Sequence, residues 1–342
     1  MCRRRTLKAA NRPGRPPFFL SGIALGLLCG GLVSSVQAGP AAPGAAAAPV
    51  EEVVITGEWA GPKLWKVSRG DHALWLLGTP DTLPRKMTWR SAAIESVLGE
   101  VQEVIANGPS LEVNAGPITA IRLYLQWRHV RNNDNGETLQ AALPPALYAR
   151  YAVLKARYAP HDSKLDERRP MVAAGRLYFE ALKAAGLTAA DSVQETVFRL
   201  ADRHHVKVHR ISLRVEDPRS VLAEVSATPR SAELACFEAT LARLETDVGP
   251  MVLRARAWAQ GDVEQLRRLP YTDNLETCLQ QLSGSARVRD LKARGDGLWM
   301  AAVESALANN RSTLALYPIN ALIGKDSMLA RLRARGYQVE GP

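Results

Sequence analysis

The sequence lacks the short motifs that mark several large enzyme classes. It has no G-x-S-x-G motif of a nucleophile elbow, no G-x-G-x-x-G motif and no phosphate-binding P-loop. Cysteine is scarce: the 342 residues include four, with no C-x-x-C pair and no histidine–cysteine spacing that indicates zinc. No local motif therefore indicates a serine hydrolase, a nucleotide-binding enzyme or a cysteine-ligated zinc site.

The net charge of +10 overstates the basic character of the folded part. Six of the 44 Lys and Arg residues lie within the first fifteen positions, where there is no acidic residue. The remaining 38 basic residues stand against 34 acidic ones, a net charge of +4. A mildly basic surface of this kind is not typical of a nucleic-acid-binding protein, and we expect no nucleic-acid partner.

Residues 1–38 have the pattern of an export signal. A basic start leads into an apolar run that begins at Phe18, and Val36-Gln37-Ala38 suits cleavage by signal peptidase. Arg3-Arg4-Arg5 also resembles a twin-arginine start. The alternative is a membrane anchor, but the run contains several glycines and is short for a span. We therefore expect an exported protein, periplasmic or secreted, with no transmembrane segment after cleavage.

Residues 39–50 form an Ala/Pro/Gly linker with nothing to bury, which predicts a single folded domain over residues 51–342. The two cysteines of that domain are Cys236 and Cys278. Because an exported protein meets an oxidising environment, we expect these two residues to form a disulfide. Two buried free thiols are the alternative.

The most informative stretch is a predicted hairpin near the start of the domain. Two apolar runs, residues 64–67 and 73–77, flank a four-residue turn that contains Gly70. The second run does not alternate with polar residues, which indicates a strand buried on both faces. It ends at Gly78, and Asp81 follows in the loop. The end of a central strand is where open α/β sheets usually bind their ligands.

Two other regions repeat this arrangement. Residues 101–106 read as a strand that ends at Asn107, and residues 312–318 read as a strand followed by a loop with Gly324. Between them, at about residues 117–300, helical patterns dominate. We therefore predict an α/β fold whose β-sheet core comes from the N- and C-terminal segments, with a large helical insertion in the middle.

Three segments together resemble the TraB/GumN family, which is related to the Tiki metalloproteases. They are LWKVSRGDHALWLLGTPDTLP (64–84), LRARAWAQGDVEQLRRL (253–269) and ALYPINALIGKDSMLARLRARGYQV (315–339). The resemblance implies an α/β fold of two related halves with helical inserts and, in active members, a metal-dependent hydrolytic site. The ligands it implies are a His in G-x-x-H after the first strand, acidic residues after the next, and a second His just before Leu-x-Gly.

The sequence departs from this ligand pattern at every position. Asp81 stands in place of the first His, Asn107 in place of the acid, and Ala321 in place of the second His. A catalytic metal needs about three protein ligands and an open position for water, which an amide and a methyl group do not supply. We therefore expect a degenerate site without a cofactor. The function that follows is a non-catalytic binding or scaffold protein of the cell envelope, with a peptide, a glycan or an envelope protein as its partner.

The alternative is a metal-dependent peptidase or hydrolase with a rewired site. Its divalent metal would be held by Asp81, by Glu112 or by a histidine cluster that comprises His204, His205 and His209. On a strand, His205 and His209 would share one face, but the lysine between them repels a cation. An ordinary polar face is therefore the favoured interpretation of this cluster.

Overall fold

The computed structural model describes most of the chain beyond the expected linker. The described residues are 61–113, 116–189, 191–215, 217–246, 248–271, 278, 286–324 and 327–342. The expected export signal and linker lie outside them, so both stay predictions. No helix within these ranges is long and apolar enough to cross a membrane.

A six-stranded mixed sheet forms the centre of the fold, in the order β6-β4-β7-β2-β1-β8. Its strands are β1 (Leu64–Arg69), β2 (His72–Thr79), β4 (Glu103–Val113), β6 (Lys207–Val215), β7 (Ser312–Pro318) and β8 (Gln338–Glu340). β6, β4, β7 and β2 run parallel, whereas β1 and β8 are antiparallel to their neighbours. A separate two-stranded sheet pairs β3 (Thr82–Pro84) with β5 (Leu187–Ala189).

The predicted hairpin is confirmed. β1 and β2 pair from Leu64↔Leu77 to Arg69↔His72, and Gly70 in the turn has a φ of +62°. Glycine suits this turn because a left-handed backbone conformation costs it little. β2 lies between β1 and β7, so its leucines are fully buried, as the unbroken apolar run predicts.

The two ends of the described chain meet in this sheet, as predicted. β2 and β7 pair in parallel along their whole length, from Ala73↔Ser312 to Thr79↔Pro318. β8, near the C-terminus, adds to the other side of β1. The α/β class and the terminal origin of the core strands are therefore confirmed, although β6 reaches the same sheet from within the helical middle.

Helices make up most of the described chain between β4 and β7, and others lie before β4 and after β7. The helices are α1 (Ala92–Leu98), α2 (Pro117–Val130), α3 (Leu139–Ala142), α4 (Pro145–Tyr158), α5 (Pro170–Ala184), α6 (Asp191–Arg203), α7 (Pro218–Ser226), α8 (Arg230–Thr246), α9 (Val248–Gln260), α10 (Val263–Arg268), α11 (Ala286–Asn309), α12 (Ile319–Ile323) and α13 (Met328–Ala334). α11 packs against β2, β4, β6 and β7. α4, α5 and α8 pack together around Tyr151 and Phe237, which form a second apolar core.

One local prediction was wrong. The predicted strand end at Asn107 is instead a β-bulge: β4 continues to Val113, with a register shift between Ile105 and Pro109. Gly108 adopts a φ of +67° in the bulge, which lets the strand bend without ending. α2 lies in the region predicted to be helical, and its apolar residues Ile118, Ile121 and Leu125 are exposed.

The cysteine pair joins α8 to Cys278. The Cα atoms of Cys236 and Cys278 are 4.7 Å apart. Cys236 is buried beside the second apolar core. The geometry is compatible with the expected disulfide.

Candidate functional site

The candidate site lies at the carboxyl ends of β2 and β7, which are neighbours in the sheet. Asp81 follows β2 and Asn320 follows β7, so the parallel pairing brings their side chains together. The amide Nδ2 of Asn320 donates a hydrogen bond to Oδ2 of Asp81 at 3.2 Å. The loop of Asp81 thus follows the carboxyl end of a central strand, the edge at which parallel sheets usually bind ligands.

A partly buried guanidinium from α9 completes this polar cluster. Nη2 of Arg254 donates to Oδ1 of Asn320, and its Nη1 donates to the carbonyl oxygens of Leu266 and Leu269 at 2.8 and 2.9 Å. Burial lowers the pKa of Arg254 below its ordinary value, and the negative charge of Asp81 acts against that shift. Arg254, Asn320 and Asp81 therefore form a linked row across three separate parts of the chain.

A small cavity of about 20 Å³ adjoins this row. That volume matches one or two water molecules. Arg243 of α8 and Tyr271 complete its polar lining, and Met251, Leu266 and Ile319 supply apolar wall. The Tyr271 ring lies 4.9 Å from the guanidinium of Arg254 and 5.9 Å from that of Arg243. The cavity thus combines two cations with one described carboxylate, Asp81.

Trp258 connects the AWAQGD segment to the end of β2. It is buried, and its indole Nε1 donates to the carbonyl oxygen of Gly78 at 2.6 Å. Gly78 in turn lies against Ile319, at the start of α12. These contacts bring residues of all three segments of the resemblance together beneath the cleft.

Asn107 lies near the cleft, but its hydrogen bonds are to Thr79 and Gln194 and not to the row of Asp81, Asn320 and Arg254. Its Nδ2 donates to Oγ1 of Thr79 at 2.9 Å, and its backbone N–H donates to the side chain of Gln194 at 2.8 Å. Thr79 is buried and donates from its hydroxyl to the carbonyl oxygen of Tyr317 at 3.3 Å. Asn107 therefore tethers β4 to β2 in this structure.

The position before Leu-x-Gly does not face the cleft. Ala321 and Gly324 are exposed on α12 and at its end, whereas Asn320, one residue earlier, reaches Asp81. The sequence reasoning missed Asn320, Arg254 and Arg243. Arg254 and Asn320 each lie in a segment that carries the family resemblance, whereas Arg243 lies outside all three segments.

The residues considered for a rewired site do not join the cluster. Glu112 is exposed and accepts a hydrogen bond from Ser212 on β6. His205 precedes β6 and has a φ of 57°, so it does not share a strand face with His209. His209 is on β6, with its Nδ1 3.7 Å from Oε2 of Glu103.

The donors in the cleft do not fit the metal that the resemblance implies. Asp81 is a carboxylate, but Ala321 supplies no donor and the Nδ2 of Asn107 is directed to Thr79. Among the described residues, no group of three or more His, Cys, Asp or Glu could hold a metal ion. The guanidinium of Arg254 would also repel a cation placed beside Asp81 and Asn320.

Gly78 offers a direct test of the packing beneath the cleft. A Cβ atom at this position would lie 3.1 Å from Cβ and 3.2 Å from Cα of Ile319, closer than ordinary packing allows. We expect Gly78→Ala to lower the free energy of unfolding by about 1–3 kcal/mol, the usual cost of overpacking. Denaturant titration followed by tryptophan fluorescence measures the change.

The matched control is Gly175→Ala in α5, where an added Cβ would meet no atom within 4 Å. Alanine is favoured over glycine inside a helix by about 0.5–1 kcal/mol, so this control should be stabilised. An unchanged stability of Gly78→Ala beside a stabilised control would contradict the close approach of Ile319.

Comparison with known proteins agrees with this architecture. The model of the TraB/PrgY/gumN family matches residues 63–341, which include every strand of the main sheet and the whole cleft. No curated protein matches the chain, and no solved structure matches it. The family match covers most of the sequence and includes all three segments that carry the resemblance. The chain therefore belongs to the TraB/PrgY/gumN family.

Proposed function

We propose that this family member is a non-catalytic binding protein of the cell envelope. Its ligand, part of a peptide, a glycan or an envelope protein, would occupy the cleft at the carboxyl ends of β2 and β7. The envelope location rests on the export pattern of residues 1–38 and on the low-complexity linker that follows.

The observation that carries the proposal is the position of the Arg254 guanidinium. It donates to Asn320, which donates to Asp81, the residue that stands in place of the first implied metal ligand. A guanidinium keeps its charge at any pH that a protein tolerates, so it is a permanent cation in this row. It cannot lower the pKa of a bound water as a Lewis-acidic metal does. The row of side chains is therefore suited to binding and not to metal-assisted hydrolysis.

Metal content and peptidase activity test the proposal together. We expect purified protein, stripped with chelator and then exposed to zinc, manganese or cobalt, to retain no stoichiometric metal by elemental analysis. We also expect no peptide cleavage above that of a buffer blank with any of the three ions. The reason is that the cleft supplies one carboxylate and a fixed cation in place of about three ligands.

The matched variant is Asp81→Asn, which removes the one carboxylate with little change of shape. The proposal predicts the same background metal content for the variant and the unaltered protein. Stoichiometric metal and chelator-sensitive cleavage, both lost in Asp81→Asn, would overturn it and support the alternative of a rewired metal-dependent peptidase.

A further inference from the structure

Arg243 is a buried cation with little to balance it. Its side chain belongs to α8, lines the cavity, and is only 6% exposed. Its Nε is buried and has no hydrogen-bond partner. Its described neighbours include the rings of Tyr178 and Tyr271, with centroids 5.1 and 5.9 Å from the guanidinium. Aromatic rings attract a cation but carry no net charge.

A buried arginine without a paired carboxylate is rare in proteins. Arginine is almost never fully buried unless it is paired, because removing a charge from water is costly. Among the described residues, Arg243 makes no ion pair with a carboxylate. A partner that is not part of the described chain would resolve this imbalance if it brought a negative charge into the cavity.

The second cation makes the imbalance larger. Arg254 lines the same cavity, and the carboxylate among the described lining residues is that of Asp81. The pKa of Arg254 is lowered chiefly by burial, against the opposing charge of Asp81, and the positive charge of Arg243 adds to the lowering. The two guanidinium groups therefore repel each other. With two arginines and one aspartate, the described lining of the cavity has a net charge of +1.

We infer that the cavity binds the carboxylate group of a small ligand or chain end, with the guanidinium of Arg243 as its counter-charge. This inference rests on the proposed function, because it treats the cleft as a binding site. A guanidinium presents its N–H groups as a planar fork that matches the two oxygens of a carboxylate. The unpartnered Nε of Arg243 belongs to that fork.

The size and charge of the cavity favour a carboxylate over a phosphate. A volume of one or two water molecules admits only the carboxylate group itself, so the rest of the ligand would lie outside the cavity. The single excess positive charge is balanced by a monoanion. A phosphate dianion would bring one negative charge too many and would be repelled more strongly by Asp81.

Binding of simple carboxylates tests the inference. The purified full chain is titrated with sodium propionate, with propionamide as the neutral analogue of the same shape, and with sodium phosphate. Ionic strength is kept constant with sodium chloride and EDTA is present throughout. We expect a saturable rise of the thermal unfolding midpoint with propionate only, because a ligand that binds the folded state stabilises it. Equal effects of propionate and propionamide, or of propionate and phosphate, would overturn the inference.

Variants of Arg243 make the test specific. Arg243→Gln should weaken propionate binding roughly tenfold or more, as expected for loss of a charge-assisted hydrogen bond. Arg243→Lys, which keeps the charge but not the planar fork, should bind with intermediate affinity and guards against misfolding of the first variant. The matched control is Arg268→Gln, an exposed arginine of α10 paired with Glu264, which should respond as the unaltered protein does. Unchanged affinity in both Arg243 variants would overturn the inference.

Two further probes distinguish the source of the carboxylate. N-acetylalanine represents the end of a peptide, and glucuronate represents an acidic sugar. Tighter binding than propionate by either one supports the inference and identifies its source. The presence of EDTA separates the carboxylate site from the proposed non-catalytic function. If propionate does not stabilise the metal-free protein, only the carboxylate site is contradicted. A response to propionate that requires added zinc contradicts both.

Discussion

Replacement of Trp258 by alanine is expected to lower the free energy of unfolding by about 3–5 kcal/mol, the usual cost of removing a large buried aromatic side chain. Trp258 is only 2% exposed and packs edge-on against Trp89, with ring centroids 5.3 Å apart. Its indole N–H also donates to the carbonyl oxygen of Gly78. The substitution would therefore leave a cavity and an unsatisfied carbonyl group beneath the cleft. Denaturant titration monitored by circular dichroism measures the loss.

Trp258→Phe separates the contribution of ring packing from that of the hydrogen bond to Gly78. Phenylalanine keeps much of the apolar volume but cannot donate to the carbonyl oxygen of Gly78, so we expect a smaller loss of about 1–3 kcal/mol, set mainly by the buried acceptor. A matched control is Trp127→Phe on α2, which is 38% exposed and should tolerate the change better. Equal losses for Trp258→Phe and Trp127→Phe would contradict the role assigned to the indole N–H.

The second large effect is expected at a buried ion pair in the helical middle. Nη2 of Arg169 donates to Oε1 of Glu233, whose side chain is 2% exposed. Arg169 also donates to the backbone carbonyl oxygen of Ser226 at 3.1 Å. Arg169→Met would leave the Glu233 carboxylate buried without its cation, at a cost of about 3–5 kcal/mol. The measurement is the free energy of unfolding from denaturant titration at neutral pH.

An exposed arginine of the next helix is the control. Arg176 pairs with Glu180 at 3.0 Å, but its side chain is 57% exposed, so Arg176→Met should cost about 0–1 kcal/mol. The double variant Arg169→Met with Glu233→Leu should regain much of the lost stability, because it removes the unpaired charge as well. If the double variant were no more stable than Arg169→Met, desolvation of Glu233 would not be the cause.

Local patterns predicted the elements that lie near the cleft. The hairpin of β1 and β2, the strand β7 and the loop positions of Gly78 and Asp81 all follow from apolar runs and turn residues. Such signals are reliable because they depend on neighbours within a few positions. The same reasoning placed Asn107 at a strand end, but the bulge lets β4 continue beyond it, which depends on pairing with a strand about a hundred residues later.

Burial was harder to predict than helix formation. α2 lies in the region predicted to be helical, yet its apolar residues Ile118, Ile121 and Leu125 are exposed. Periodicity describes one face of a helix and carries no information on whether another element covers it. For α6, the same type of pattern coincides with burial, since Val193 and Val197 lie in the main core.

By itself, the sequence determined the order of the elements near the cleft, the family resemblance and the loss of the implied metal ligands, because each depends on residue identity at nearby positions. The tertiary structure alone decided which side chains stand in the cleft instead. Asp81, Arg254 and Asn320 come from three distant segments, and Arg243 comes from a fourth. They meet because parallel pairing aligns the ends of β2 and β7, while α8 and α9 carry the two guanidinium groups to the same edge.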